Sequence, residues 1–274
     1  MTFFTYEIES AFLRPFIRYI LFNYAGDPAA NTSLTYFPNN DVCLGLIRSA
    51  RMLKEDESFI IRPSGQSFTS YLTGIYDRPH KLEVRGMFDE ICLPFSPLGF
   101  FHFFPFPLKQ YLLGDDVLSE AFGKASVSLF EQVFEESSFW KRGSLIEQFL
   151  LEAIGGFDDD FLKSALYHLE HCHGSITLKE LCRQLRCSEK RLQRRFVQQL
   201  DILPKEYSQI LKFRKALNLL GSGDEQTLGS VCYEADYYDQ SHFIRHIHRY
   251  TGKTPSELRR TIRNIDQKVL FNCS

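Results

Sequence analysis

No GxSxG elbow, HExxH helix or phosphate-binding glycine loop occurs in this sequence. Those motifs place a nucleophile, a zinc site or a phosphate cradle, so no enzyme activity is expected. No run of about 18 apolar residues occurs either, the length a membrane-spanning helix needs. The opening stretch MTFFTYEIESAFLRPF has no basic segment leading into an apolar core, so no signal peptide is expected. The seven cysteines are an odd number without pairing periodicity, which argues against a secreted disulfide framework. A cytoplasmic protein is expected. The net charge is only −2, which taken whole argues for no polyanionic partner.

Splitting the chain changes that last conclusion. Residues 1–155 hold 13 Lys/Arg against 19 Asp/Glu, whereas residues 156–274 hold 19 against 15. Between Ser175 and Arg263 the balance is 17 against 10, a net +7. A basic module beside an acidic one suits a DNA-reading protein with a separate control domain. A solvated basic face without a ligand would give the same numbers. With 274 residues, 44% of them apolar and 15% aromatic, the chain has enough material for two domains.

Residues 1–90 read as short strands, with turn punctuation at Gly26–Asp27–Pro28, Pro38–Asn39–Asn40, Arg62–Pro63–Ser64–Gly65 and Asp77–Arg78–Pro79. Such spacing predicts an antiparallel sandwich or barrel. Phe12, Phe16, Ile17, Ile20 and Leu21 allow a short opening helix instead. The aromatic cluster FFHFFPFP, residues 100–107, reads first as a core plug between sheet and helices and second as an aromatic ligand pocket. From Leu118 to Ile154 the apolar residues shift to helical spacing. Gly155–Gly156 followed by Asp158–Asp159–Asp160 marks the best boundary, dividing the chain into a β-rich control or dimerisation domain at 1–155 and a helical domain at 156–274. In that second domain Gly174 stops one helix. Thr177 caps the next, with Glu180 three residues on for a capping box. Ser188 caps another, Pro204 opens a long helix ending at Gly221, Thr227 opens a shorter one, and Pro255 begins the last.

Two stretches in this domain repeat each other. YYDQSHFIRHIHRYTGKTP, from Tyr237 to Pro255, predicts a helix from Asp239 or Gln240 to Gly252 with Phe243 and Ile247 turned inward. Fifty-one positions earlier Leu192, Phe196, Asp201 and Pro204 fall where Phe243, Ile247, Gly252 and Pro255 stand. Matching apolar, turn and proline positions at one offset indicate a repeated supersecondary unit. On Ser188, Leu192, Gln193, Arg194, Phe196 and Pro204, and on Asp239, Ser241, Phe243, Arg245, Gly252, Thr254 and Pro255, the chain resembles the AraC/XylS-type transcriptional regulators. That resemblance runs from about Asp160 to Arg263. The stretch from ICLPFSPLGFF to the helices near residue 150 also resembles, more diffusely, one of that family's less characterised N-terminal domains.

The resemblance implies two helix-turn-helix repeats joined by a long helix, reading successive major grooves about 34 Å apart. A spacer of some 17 residues is roughly 25 Å long, so some DNA bending is expected. Arg194 is the first choice for base contact, since a guanidinium takes guanine O6 and N7 together. Lys190 and Gln193 share its face, and Gln240, Ser241, His242 and Arg245 are the matching set in the second repeat. Arg191, Arg195 and Lys205 are assigned to phosphate. The chain departs from the family where Arg186 and Asp236 replace the usual turn glycines, where Asp201 replaces another, and where Cys182 and Cys232 stand in alanine's place. Double-stranded DNA is the implied partner, with RNA polymerase, a small-molecule effector and a second copy of the chain as further partners, acting as an activator.

Other chemistry competes. His168, His171, Cys172 and His173 crowd together, and His168 with Cys172, or His242 with His246, stand four apart. No second pair with structural-zinc spacing accompanies them, so solvated or capping histidines are expected and neither metal nor cofactor. Cys43 and Cys92 invite a thiol-sensor reading, against the commoner fate of small buried cysteines. The alternative function is a ligand-binding or catalytic β-barrel protein whose helical tail binds another protein.

Overall fold

The computed structural model describes residues 1–55, 58–112, 116–222, 226–265 and 269–273, with side chains described through residue 262. Its contacts divide into two units: Met1–Thr32, Asp41–Gly74 and Glu83–Asp158 in the first, and Ser33–Asn40, Ile75–Leu82 and Asp159–Ser274 in the second. The fold class is α+β, with an antiparallel sheet and trailing helices first and a helical region after them.

Strands β1 (Thr2–Glu7), β2 (Tyr19–Ala25), β3 (Asn31–Tyr36), β4 (Val42–Glu55), β5 (Ser58–Thr73), β6 (His80–Arg85) and β7 (Phe88–Phe95) come in turn. Within the first unit the order is β1-β2-β7-β4-β5, and the pairs are antiparallel. The sequence of β2, YILFNYA, is aromatic and β-branched and is buried along nearly all its length. A strand covered on both faces takes such a continuous apolar run. This overturns the opening helix. Residues 11–16 are turns, Ile17 bridges to Phe95, and Ile20 and Leu21 lie in β2. Pro15 stands inside the stretch, where a helix would lose a hydrogen bond and meet the ring.

A second expectation also fails. Arg62–Pro63–Ser64–Gly65 is no turn but the middle of β5. There the register against β4 jumps from Arg48↔Phe68 to Ala50↔Pro63, and Ser49 takes a positive φ of 51°. Proline donates nothing to a ladder and is tolerated at such a bulge.

Helices α1 (Pro97–Phe103), α2 (Val117–Phe122), α3 (Lys124–Glu135) and α4 (Phe139–Ala153) follow, with a short 3₁₀ turn at Leu108–Gln110. The aromatic run forms the core plug. Phe100, Phe101, Phe103 and Phe104 are buried, Phe100 stacks on Phe104 at 4.5 Å, and Phe95 of β7 meets Phe103 at 5.0 Å. Two buried charges tie α4 down. Arg142 holds both oxygens of Asp89 at 2.8 and 3.0 Å and donates to the carbonyls of Phe134 and Glu136. Glu147 accepts from the Tyr6 hydroxyl and from the main chain of Glu9 and Ser10. With every polar atom of such a group engaged, its burial is tolerated.

The second unit contains α5 (Asp160–His171), α6 (Leu178–Gln184), α7 (Glu189–Leu200), α8 (Pro204–Gly221), α9 (Leu228–Glu234), α10 (Gln240–Thr251) and α11 (Pro255–Thr261). Strands β8 (Ile262–Ile265) and β9 (Val269–Cys273) pair antiparallel, and β9 also pairs with β3. Asp159 caps α5, as its acids suggest. Gly174 is required twice over: its φ is 72°, and a Cβ there would stand 2.0 Å from the Ser208 carbonyl oxygen. That approach lets Tyr207 donate to Glu170 at 2.6 Å and Ser208 donate to the Gly174 carbonyl at 2.7 Å, locking α5 to α8. His171 stacks on Tyr167 at 5.2 Å, and Cys172 is the exposed helix cap. No helix among the described residues is long and apolar enough to cross a membrane.

Candidate nucleic-acid interface

The second unit contains the same construction twice. Thr177 and Thr227 cap α6 and α9 by accepting from Glu180 N–H at 3.2 Å and Ser230 N–H at 3.0 Å. Each helix then closes in one turn. Cys187 N–H donates to the Cys182 carbonyl and Tyr237 N–H to the Cys232 carbonyl, both at 3.0 Å. The residue that reverses the chain is Arg186 in the first repeat (φ 48°) and Asp236 in the second (φ 58°). Both departures from glycine therefore adopt the left-handed conformation that glycine enters freely and other residues enter at a cost of about 1–2 kcal/mol. Three residues, Leu185 to Cys187, separate α6 from its successor's cap; four, Ala235 to Tyr238, do so after α9. The offset between repeats is thus 50 through α6 and α9, and 51 from α7 and α10 onward.

Ser188 caps α7 by accepting from Arg191 N–H at 3.3 Å, and Asp239 caps α10 by accepting from His242 N–H at 2.7 Å. Both helices are twelve residues long. Leu192, Phe196 and Leu200 of α7 are buried, as are Phe243, Ile247 and Tyr250 of α10. Each such side chain contributes about 1.5–3 kcal/mol by leaving water, which fixes which face remains outside. Both helices end on left-handed residues, Asp201 (φ 54°) and Gly252 (φ 68°). The Thr177–Glu180 box is only half formed, because the Glu180 carboxylate takes Arg183 and Gln184 instead. Arg183 holds that carboxylate below its usual range.

On the outer faces Lys190, Gln193 and Arg194 are exposed on α7, and Gln240, Ser241 and Arg245 on α10. Arg194 and Arg245 occupy the same position, 51 apart. His242 is half-buried, with its ring edge-on to Tyr237 at 5.3 Å. Among the residues assigned to phosphate, Lys205 is exposed in the first turn of α8. The Arg191 guanidinium lies 4.5 Å from the Phe161 ring centre. Arg195 is engaged inside the unit: it binds the Asp159 carboxylate at 2.5 Å, joining α7 to the cap of α5. Two side chains the sequence reading passed over stand on this surface. Ile244 is 42% exposed and lies 51 residues after Gln193, so strict use of the offset would have found it. Tyr238, in the longer second turn, is 94% exposed, and no sequence signal marks it.

The second turn is braced from α8. Lys215 binds the Asp236 carboxylate at 2.8 Å, Ser175 donates to it at 3.1 Å, and Lys212 donates to the Asp236 carbonyl. Lys215 holds that carboxyl below its ordinary value. Behind α10, His246 is buried and shares a 2.6 Å hydrogen bond with the Tyr237 hydroxyl through Nδ1, while its Nε2 has no partner among the described residues. Burial first, then His242, push its pKa down to about 3, so the ring is neutral in ordinary buffers. A nitrogen already bonded to Tyr237 is poorly placed as a metal ligand beside His242.

Residues 181–261 match the protein family described as "Helix-turn-helix domain". They form a helix-turn-helix domain of the AraC/XylS type. This helix-turn-helix domain takes in the pairs α6–α7 and α9–α10, with the spacer α8 between them. No curated protein matches the chain. A crystal structure of ToxT from Vibrio cholerae O395 is 15% identical, covering 88% of this chain and 96% of that one, with a TM-score of 0.46. The same protein bound to (E)-4-(8-methylnaphthalen-1-yl)but-3-enoic acid is 13% identical, covering 94% and 98%, also at 0.46. The xylose-binding transcription activator xylR is 15% identical over 44% of this chain and 37% of its own, at 0.33. Scores this low support no argument from shape.

Proposed function

We propose that this protein is a sequence-specific DNA-binding transcriptional regulator that inserts α7 and α10 into successive major grooves. The observation that carries the reading is the duplicated construction itself. Two capped helices of equal length bury matching apolar stripes, and both leave an arginine at the same outward position. Groove readers place the second helix of each pair against base edges, with the exposed residues of its first turns reaching them. Arg194 and Arg245 supply bidentate guanine contacts; Lys190, Gln193, Gln240, Ser241 and His242 complete the base-reading set. Lys205 and Arg191 lie toward phosphate. Arg195 acts there only through the position of α7, since Asp159 holds it. The spacer α8, with 18 residues, is about 27 Å long at 1.5 Å per residue. A groove repeat of about 34 Å then asks for a modest bend in the DNA, whose expense depends on the sequence bent.

In this reading residues 156–274 are the DNA-binding domain and residues 1–155 a control domain, which takes a small-molecule effector or pairs with a second copy. No residue is assigned a catalytic role. The test is binding to genomic fragments, beginning with the protein's own promoter, over a range of salt. Several phosphate contacts make log affinity fall linearly with log salt, by roughly 0.9 per phosphate neutralised. Binding that is absent at low salt, or that ignores salt, would overturn the proposal and favour a protein-binding role for the helical region.

A further inference from the structure

The first helix-turn-helix repeat carries a thiol pair that the second does not. Cys182 lies in the last turn of α6, and Cys187 stands one residue before the cap of α7. Their main chains are joined by the 3.0 Å bond from Cys187 N–H to the Cys182 carbonyl, and both side chains line the same shallow cleft. This helix ending brings the side chains of its two bonded residues together. A disulfide asks for Cα atoms about 4.4–6.8 Å apart, and the bond that closes the end of α6 holds these two residues side by side. In the second repeat the same bond joins Cys232 to Tyr237, so no disulfide is available there. Cys43 and Cys92 lie diagonally across β4 and β7, Cys43 paired with Pro94 and Cys92 with Gly45, outside the helix-turn-helix repeats.

We propose that Cys182 and Cys187 form a thiol–disulfide switch in the first repeat, oxidised by hydrogen peroxide or another small peroxide. The two thiols divide the work by exposure. Cys187 is half-buried and opens on a shallow cleft of about 590 Å³ lined also by Lys179, Arg183 and Arg186. Cys182 is buried, and burial with the neighbouring Cys187 pushes its thiol up to about 11, so it stays protonated until needed. The Cys187 sulfur, having given up its proton, attacks one peroxide oxygen. The O–O bond breaks, Cys187 becomes a sulfenic acid, and the departing oxygen leaves as water. The Cys182 sulfur then attacks the Cys187 sulfur: the S–S bond forms, the S–O bond breaks, and the hydroxide takes the Cys182 proton as a second water. Two thiols lose two electrons, and one peroxide becomes two waters. Closing the sulfurs to about 2.05 Å draws Cys187 toward α6 and moves Ser188 and the start of α7 with it. Lys190, Gln193 and Arg194 shift as a set. The regulatory half of this inference rests on the DNA-reading function proposed above.

The experiment uses the full chain, reduced, then treated with hydrogen peroxide, alkylated and digested with trypsin without reductant. The expected product is residues 180–183 linked to residues 187–190, about 2 Da lighter than the two free peptides. Cys187→Ser should abolish the link, and Cys172→Ser, at an exposed cysteine, should leave it. Oxidation should weaken protection of the first repeat's groove about tenfold, a dithiol should restore it, and Cys187→Ser should be indifferent to peroxide. Because Cys187 is half-buried, that variant tests the pair even if Cys182→Ser fails to fold. Free peptides carrying sulfinic acid on Cys187 would overturn the pairing. A linked product with unchanged protection would overturn the switch. Absence of salt-dependent DNA binding by the reduced chain would overturn the DNA-reading function and the regulatory half together, whereas the peptide link would still decide the thiol pair.

Discussion

Replacing Arg186 by glycine should make the protein more stable, and replacing Asp236 by glycine should not. Both residues sit at φ near 50–60° in the same turn of their repeats. A side chain held there costs about 1–2 kcal/mol. Glycine removes that strain and returns about 0.5–1 kcal/mol to the unfolded state as entropy. Arg186 is exposed, so little else is lost. The net expectation for Arg186→Gly is about 0.5–1 kcal/mol of stabilisation. Asp236 differs in two ways. Aspartate tolerates the left-handed region better than arginine, and its carboxylate holds Lys215 and Ser175. Losing an ion pair that is half-exposed on the aspartate side removes a further 0.2–1 kcal/mol, roughly. Asp236→Gly is therefore expected to be neutral or destabilising by up to about 1 kcal/mol. Urea unfolding followed on the helical signal checks both, with an unchanged m-value required for the comparison. If the second unit, about 130 residues, melts on its own, 1 kcal/mol corresponds to roughly 3–5 °C. Equal shifts in the two variants, or destabilisation by Arg186→Gly, would refute the reasoning.

Other expectations follow from buried groups. Arg142→Met should destabilise the N-terminal unit by about 3–5 kcal/mol, since Asp89 is then left buried and uncompensated; urea denaturation of the full chain reads this out. Adding Asp89→Leu to Arg142→Met should recover part of the loss, because no buried charge is then unpaired. His246 gives a pH dependence whose sign is set by its lowered pKa of about 3. The unfolded imidazole binds its proton near pH 6.5, so the stability it contributes is complete above that value and is lost as the pH falls toward 3. The loss should reach about 2 kcal/mol between pH 7 and pH 5. His246→Phe should flatten that slope; an unchanged slope would place the effect elsewhere. Within the proposed interface, Ile244→Asp should weaken DNA binding without changing the melting temperature, as expected of an exposed apolar residue that meets a base.

The helical half of the fold was legible because its signals are local. Caps at Thr177, Ser188, Thr227 and Asp239, proline at the start of α8 and α11, and apolar residues four apart specify where each helix begins and which face it buries. The N-terminal half was legible in class and blurred in detail. A strand buried on both faces has no alternation, so Ile17, Ile20 and Leu21 imitated a helix face. Pro63 imitated a turn because a bulge tolerates proline just as a turn does. The register between β4 and β5 is a long-range pairing that no window along the chain contains. On the outer faces of α7 and α10, the repeat located the exposed set proposed to read bases, but the side chains' engagements were hidden. That Asp159 holds Arg195 and that Tyr237 half-covers His242 follow from contacts between elements distant in sequence or joined by a turn. Ile244 was legible at the 51-residue offset from Gln193, whereas the one-residue difference between the two turns left Tyr238 unmatched.

The most direct test of the central claim is footprinting on the protein's own promoter and other genomic fragments, comparing wild type with Arg194→Ala and Arg245→Ala. The account predicts protection of two adjacent major grooves, with each variant losing one groove and weakening binding by about 1–3 kcal/mol. Protection that neither substitution alters, or no protection at low salt, would contradict it.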